Sequence, residues 1–422
     1  MITNNKTKDN IESDQILEES EKLNEQEVNY SDDTNKTNII DTDSKCSIEI
    51  KEETHEKELS NSEAEIAKNL YNDVVTFLGK TLSVEPEDEN KVRNVIPTGI
   101  DVLDAVLGGG VGTKLVQIVG QPGCGKSALA ARILASGQRR WPGKFIGLYI
   151  DSEQSMSKER LAQLGVKYPE ITPYTDDITV EKVFKIVEQL CLYKEEHPEL
   201  MNIPSCIVWD SVANTLTERG MDGDKYTEVI GQKANVLSYM LPKYTSKLNK
   251  YCISLLCVNQ LRERVEMNAM YSSPATLKFL ADKNIPGGNS LLYNSFQLFY
   301  FRQKEEIKGE FGFKGAITGG KTVKNKLFTP NIDIEMVFSF ERGFSNFWTN
   351  YILLKKFKRV SIGGGWVTIE GYSGSRCQQK GLLQKYREDE NFRKVWNENV
   401  IDVLNTEIYQ KYSMDSSNTV DI

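Results

Sequence analysis

Between Lys114 and Asn259 the chain alternates short apolar runs with longer stretches patterned at helical spacing, and few folds accommodate that alternation. "KLVQIVG" (114–120), "KFIGLYID" (144–151), "SCIVWD" (205–210) and "YCISLLCVN" (251–259) are nearly continuous in apolar residues, as strands covered on both faces must be. Between them lie "KSALAARILASGQRR" (126–140), "SKERLAQLGV" (157–166), "TVEKVFKIVEQLCLYKEE" (179–196) and "VIGQKANVLSYMLPKYTSKLNK" (229–250). The pattern predicts an α/β fold with a mostly parallel sheet and helices on both faces. "LYNSFQLFYFRQ" (292–303) and "NIDIEMVFSF" (331–340) are expected to continue the sheet, before a smaller α/β unit over about 346–413.

The first strand runs into "GQPGCGKS", residues Gly120, Gln121, Pro122, Gly123, Cys124, Gly125, Lys126 and Ser127, with the spacing G-x-x-x-x-G-K-S. Glycines there let backbone N–H groups converge on phosphate oxygens at a helix N-terminus. Lys126 supplies charge to the β/γ-phosphates, and the Ser127 hydroxyl can bind Mg²⁺. The loop therefore predicts an ATP site. "CIVWD" ends in Asp210, placed to support Mg²⁺ at the sheet's C-terminal edge. "LYIDSE" ends in Asp151 and Glu153. Glu153 is either the group that polarises an attacking water or, with Asp151, a turn acid that caps the next helix.

"LCVNQLRERVE" (256–266) ends a buried strand in Asn259 and Gln260 and opens a loop of some 26 residues, 261–286. A loop of that length in a compact domain is usually functional or disordered. Arg262, Arg264, Lys278 and Lys283 make it basic-leaning, and its Met and Tyr side chains offer surfaces for bases. A second irregular piece, about 217–228, leaves the same sheet edge.

Charge is unevenly spread. The chain has 422 residues and a net charge of −8, yet residues 1–60 alone hold 17 Asp/Glu against 7 Lys. With Tyr30 as its one aromatic, that segment cannot bury enough apolar surface to offset its ordering entropy, so it reads as a disordered acidic tail. It is a solvated tail, or an arm that competes with nucleic acid or recruits a basic partner. Residues 61–94 read as a helix and linker: Ile66, Leu70, Val74, Val75 and Leu78 recur at helical spacing behind a Ser62/Glu65 capping box. A lone amphipathic helix needs a surface to dock on, such as a neighbouring subunit. Seven scattered cysteines and two histidines read as reduced thiols with no His-built metal site. There is no run of roughly 18 apolar residues and no signal peptide, so the expectation is a cytoplasmic protein of a bacterial or phage-infected cell, away from membranes.

Taken in order, these motifs resemble bacterial RecA and the phage UvsX-type recombinases over roughly residues 95–400. "IPTGIDVLDAVLGGGV" is similar to the family's opening segment and "GQPGCGKS" to its phosphate loop. "YIDSEQ", "IVWDSVA", "VNQLRER" and "IPGGNSLLY" follow in register, then "TVKNK" (322–326) and "IGGGWV" (362–367). The resemblance implies a RecA-like ATPase core over 95–345, a C-terminal domain over 346–413 and a flexible tail over 414–422. It implies an ATP-dependent homologous recombinase that forms helical filaments on single-stranded DNA and exchanges it with a homologous duplex. Glu153 would activate water and Gln260 would sense the γ-phosphate. Lys324 and Lys326 would reach the adjacent subunit's ATP, and Arg376 with Lys380 would meet duplex DNA, unless they are ordinary surface charge. A single-strand-binding protein or loader is a candidate partner of the acidic arm.

The chain departs from the family in places. Arg160 stands where bacterial members put an aromatic over adenine, to stack through its guanidinium plane if it takes that role. Asn235 and Pro242 replace basic positions of the helix after the first loop. The acidic arm is N-terminal rather than C-terminal. Two other readings stay open: a paralogue acting as a filament mediator, and a helicase-type or clock-type ATPase of the same superfamily. Removal of residues 1–60 is expected to raise affinity for single-stranded DNA at low salt, where charge repulsion is least screened; a salt series of binding titrations on both chains checks this, and equal affinities throughout would refute it.

Overall fold

The computed structural model describes residues 94–167, 171–174, 178–221, 231–263 and 283–412. The acidic segment, the helix read at 62–78 and the tail 414–422 lie outside them.

The strands in chain order begin with β1 (Val95–Ile96), β2 (Val111–Gly112), β3 (Leu115–Gly120), β4 (Ile146–Asp151) and β5 (Ile171–Tyr174). Next come β6 (Ser205–Asp210), β7 (Ile253–Gln260), β8 (Arg262–Glu263), β9 (Lys283–Asn284) and β10 (Gln297–Ile307). β11 (Gly315–Asn325), β12 (Asp333–Ser339) and β13 (Gly343–Ser345) lead to β14 (Val360–Gly363), β15 (Trp366–Ile369) and β16 (Cys377–Gln378). Nine of them form one sheet in the order β13-β12-β11-β10-β3-β7-β6-β4-β5. From β10 to β5 neighbours are parallel, and from β10 to β13 they are antiparallel. The parallel part carries the expected helical crossovers; β11 to β13 are joined by short turns, which antiparallel pairing permits.

Although β3 and β6 are buried throughout and β7 is buried as far as Asn259, alternate residues serve different layers. Val116, Ile118, Cys206, Val208, Leu256 and Val258 pack with Leu129, Ile133 and Leu134 of the helix Lys126–Arg140. Leu115, Ile207, Trp209, Leu255 and Cys257 face Phe184 and Val187 of the helix Val180–Glu196 and the stripe Leu237, Leu241, Tyr244 and Leu248 of the helix Gln232–Lys250. Pro242 sits inside that last helix. A proline there costs about 3 kcal/mol, and four buried side chains at about 1.5–3 kcal/mol each outweigh it.

The C-terminal lobe packs on the β12 end through the helix Asn346–Lys356. Phe347 stacks on Trp396 of the helix Glu390–Leu404 with centroids 4.6 Å apart, and Phe311 stacks on Trp348 at the same spacing. These rings belong to the same apolar cluster as Leu129 and Val116, so core and lobe share one interior. Asp101 reinforces the junction: its carboxylate accepts from Asn346 Nδ2 at 2.9 Å and Asn350 Nδ2 at 2.7 Å.

The structure differs from the sequence reading at three places. The run 292–303 was expected as strand from its first residue, but the helix Asn289–Asn294 occupies its start and β10 begins at Gln297. Tyr and Phe favour strands, yet Leu291 and Leu292 here are buried as a helical pair behind Gly288. The loop 261–286 is not irregular at its ends, where β8 and β9 pair in antiparallel register. β5 was not anticipated: the four-residue "ITPY" carries a proline, which fits an edge strand. Among the described residues six cysteines, Cys124, Cys191, Cys206, Cys252, Cys257 and Cys377, are free thiols.

A charged side chain lies inside the helical layer. Lys194 is fully buried, and its ammonium donates to the carbonyls of Ile203 and Tyr251, both at 2.7 Å. Lys194→Met leaves two buried carbonyls unpaired and is expected to cost about 1–3 kcal/mol for each, seen as a lower thermal midpoint. Burial holds the Lys194 pKa down to about 8. Above that value the folded chain gives up a proton that the unfolded chain keeps, so this group's contribution to stability rises with pH towards the ordinary lysine value. The gap in denaturation midpoint between wild type and Lys194→Met should widen from pH 7.5 to pH 9.5.

Candidate nucleotide site and the loop edge

Strand register brings the chemistry together. Gly120 pairs with Gln260, Val258 with Asp210, and Asp210 with Asp151, so four adjacent parallel strands end at one edge. That edge is where ligands bind in open α/β sheets.

The phosphate loop is held from below. A Cβ on Gly120 would sit 2.3 Å from the Phe301 carbonyl oxygen. Gly125 adopts φ 91° as the N-cap of the helix Lys126–Arg140, and a Cβ there would meet the Phe344 ring at 2.9 Å and Phe338 at 3.2 Å. Both rings come from the β12–β13 hairpin and lie 4.9 Å apart. Lys126 is buried, and its Nζ donates to the Gln121 carbonyl at 2.8 Å, folded back along the loop. Gln121, Pro122 and Gly123 are exposed at the rim, and Cys124 turns inward, its thiol donating to the same Gln121 carbonyl.

Asp210 is buried, and Tyr149 O–H donates to its Oδ2 at 2.6 Å. Burial pushes the Asp210 carboxyl up, opposed by hydrogen bonds from the Ser127 and Tyr149 side chains. Ser127, in the first turn of the helix Lys126–Arg140, and Asp210, at the end of β6, offer adjacent oxygens, a donor set that fits a hard cation such as Mg²⁺. The Asp210–Ser211 peptide is cis.

Glu153 Oε1 accepts from Ser211 Oγ at 2.6 Å and from Gln260 Nε2 at 2.9 Å. The two readings of the acids after β4 thus separate. Asp151 is buried and accepts from the backbone N–H of Glu153 and Met156, a turn acid. Glu153 instead points across the edge to β7. Asn259 closes the far side: its Nδ2 donates to the Pro286 carbonyl at 2.8 Å, tying the return of the long loop to β7.

Arg160 lies beside the hairpin rather than open over the loop. Its guanidinium donates to the Phe340 carbonyl at 2.8 Å and the Glu341 carbonyl at 2.5 Å. Phe340 itself is 46 % exposed. Lys324 Nζ donates to the carbonyls of Leu292 and Tyr293 at the end of a short helix. Burial, and then neighbouring Lys326, lower its pKa. Arg376 and Lys380 are exposed on the C-terminal lobe, as are Asn235 and Pro242 on their helix. Arg262 and Lys283 are at the paired base of the long loop. Arg264, Lys278 and the rest of 264–282 lie outside the described residues, as does the greater part of 217–228.

A family model described as the RecA N-terminal domain matches residues 57–345. The chain belongs to the RecA family. It is 30% identical to Protein RecA of Thermus aquaticus over 295 residues, covering 69% of this chain and 78% of that one. It is 29% identical to Protein RecA of Mycolicibacterium smegmatis over 334 residues, covering 78% and 87%. Protein RecA of Ruminococcus albus is 28% identical over 322 residues, covering 76% and 74%. The chain is thus a RecA-type recombinase. Membership implies a DNA-dependent, nucleotide-binding ATPase that works with Mg²⁺ and assembles on DNA. No described helix is long and apolar enough to cross a membrane.

Sequence reasoning missed Tyr149, Ser211, Asn259 and the hairpin rings. Each lies in an apolar or turn segment whose pattern reports burial and not partners. The rings under Gly125 yield a test. Gly125→Ala is expected to weaken ATP binding at least tenfold, through strain at positive φ and the clash with Phe344. Phe344→Leu in the same chain should recover part of that loss by making room, as read by titration with a fluorescent ATP analogue.

Proposed function

We propose that this RecA-type recombinase hydrolyses ATP between successive copies of a filament on single-stranded DNA and exchanges that strand with a homologous duplex. The observation that carries the reading is the bond between Gln260 and Glu153. Gln260 ends β7, two residues before the paired base of the long loop. A γ-phosphate on the loop next door is a further acceptor within reach of an amide held by Glu153. When that phosphate arrives, Gln260 turns to it, Glu153 is freed to orient water, and the base of the DNA loop moves with β7's end.

Gly120 to Ser127 cradle the phosphates, with Lys126 leaving the Gln121 carbonyl for phosphate oxygens. Ser127 and Asp210 hold Mg²⁺, which neutralises charge on the β- and γ-oxygens when bound. Phe340 and Arg160 border the site on the side open to the adenine ring. Arg262, Arg264, Lys278 and Lys283 meet single-stranded DNA, and Arg376 meets the duplex, with affinity that falls as salt rises. The acidic arm is the contact for a single-strand-binding protein or loader.

Lys324 and Lys326 act on the neighbour's nucleotide. Lys324 pairs with Leu298, which lies opposite Gln117, whereas Gly120 lies opposite Phe301. Lys324 is therefore about 10 Å back along the sheet from its own phosphate loop at about 3.3 Å per residue. Lys324, held by helix-end carbonyls with the charge of Lys326 beside it, suits an anion presented from outside.

Complementation tests the arrangement. Glu153→Gln and Lys324→Ala should each lose at least a hundredfold in ATP hydrolysis stimulated by single-stranded DNA. Mixed in equal amounts they should regain it, because about one interface in four then joins an intact Glu153 to an intact Lys324 in a head-to-tail assembly. A mixture as inactive as its parts would place the lysines outside the active site, and hydrolysis indifferent to DNA would remove the recombinase reading.

A further inference from the structure

We propose that Tyr149 is a positioning residue for the metal side of the nucleotide site, its hydroxyl fixing the Asp210 carboxylate so that Mg²⁺ and ATP bind cooperatively. The inference rests on the reading that Ser127 and Asp210 hold Mg²⁺.

Tyr149 occupies the middle of β4, in "LYID", where a fully apolar side chain would satisfy the strand pattern. Its ring is fully buried, packed in the cluster that holds Leu129, Val208 and Leu161. The hydroxyl gains nothing from that packing and must find an acceptor. The acceptor it takes is Asp210 Oδ2, at 2.6 Å, one strand away on β6. Tyr149 and Val208 are direct partners in the β4–β6 register, which places the tyrosine two residues before the strand end that carries Asp210. The phenol therefore reaches forward along the sheet to the underside of the carboxylate.

Three features make this more than a satisfied buried hydroxyl. Asp210 sits beside the strand that ends in Asp151 and near Glu153, so its charge faces two like charges at short range. A neutral donor on Oδ2 offsets that repulsion without bringing in a cation that would compete with Mg²⁺. The hydroxyl also settles which way the carboxylate turns. With Oδ2 committed to Tyr149, the remaining acceptor capacity of Asp210 lies towards Ser127, whose side chain already hydrogen-bonds it. The donor is anchored, too: a ring locked in the core has no rotamer to lose when the metal arrives, so orientation of Asp210 is settled before the ligand binds.

The test compares Tyr149→Phe with wild type in two titrations of a fluorescent ATP analogue, one in EDTA and one in Mg²⁺. In EDTA the two chains should bind alike, because the ring stays in place and the backbone of the phosphate loop is unchanged, the lost hydroxyl having touched only the Asp210 and Ser127 side chains. In Mg²⁺ the tightening seen for wild type should shrink roughly tenfold in the variant, the factor set by about 1.4 kcal/mol. In an Asp210→Asn background the same Tyr149→Phe change should alter nothing further. Equal weakening in both buffers would mean that Tyr149 only supports the fold, and no change in either would mean that Asp210 needs no such support; both overturn the proposal. So would a Tyr149→Phe chain that unfolds, because the hydroxyl would then be holding the structure rather than the metal side of the site. The underlying reading fails separately, and visibly, if wild type itself binds the analogue no more tightly in Mg²⁺ or if Ser127→Ala leaves that tightening intact.

Discussion

The pairing of β3, β7, β6 and β4 in one register is the constraint from which the site follows. Parallel strands all end at the same edge, and a shift of one residue would turn each terminal side chain to the opposite layer. Because the strands are apolar on both faces, helices must cover both, and the polar residues are left to the ends. Gly120 is therefore level with Gln260, and Asp210 is level with Asp151 two residues further back along the same edge, for reasons of packing before any question of catalysis arises. Glu153, two residues beyond the end of β4, then meets both Ser211, one residue beyond the end of β6, and Gln260 with no further design than strand length.

A second layer of support comes from the chain that follows. The β12–β13 hairpin puts two phenylalanine rings under Gly125, and Arg132 of the helix behind the loop donates to the Phe344 carbonyl at 2.7 Å and to the Gly99 carbonyl at 2.5 Å. Asp104 accepts from the backbone N–H of Thr98 and Gly99, and burial raises its pKa to about 6. The segment before β2, the helix after the phosphate loop and the approach to the C-terminal lobe are thus tied at one place. Arg160 holds the turn of the same hairpin from the other side.

The fold was legible in the sequence because its signals are long and repeated: four buried runs, the intervening helices and one glycine loop between a strand and a helix. The helix Lys126–Arg140 and the strand ending at Asp210 fall where the pattern puts them. Lys126 and Ser127 were legible as candidates from the spacing of the glycine loop, and Glu153, Asp210 and Gln260 because each lies at or just past the end of an apolar run. What the sequence could not convey was pairing. Nothing in "LYID" says that the tyrosine hydroxyl turns to an aspartate 61 residues on, and nothing in "ERGF" says that the preceding phenylalanine's carbonyl is held by Arg160. The helix Asn289–Asn294 was misread for a related reason: six residues of mixed propensity take their conformation from the core they cover.

The single interior shared by the ATPase core and the C-terminal lobe bears on how this chain can be divided. Trp348 and Trp396 are buried among residues continuous with those behind the phosphate loop, and Asn346 and Asn350 grip Asp101 near the start of the described core. A fragment ending before Asn346 would bare a broad aromatic surface and orphan a carboxylate, so the lobe is not a module to be trimmed or swapped at its linker. Chimeras between this recombinase and its relatives have to be cut elsewhere, at segments whose side chains touch only one side of the junction.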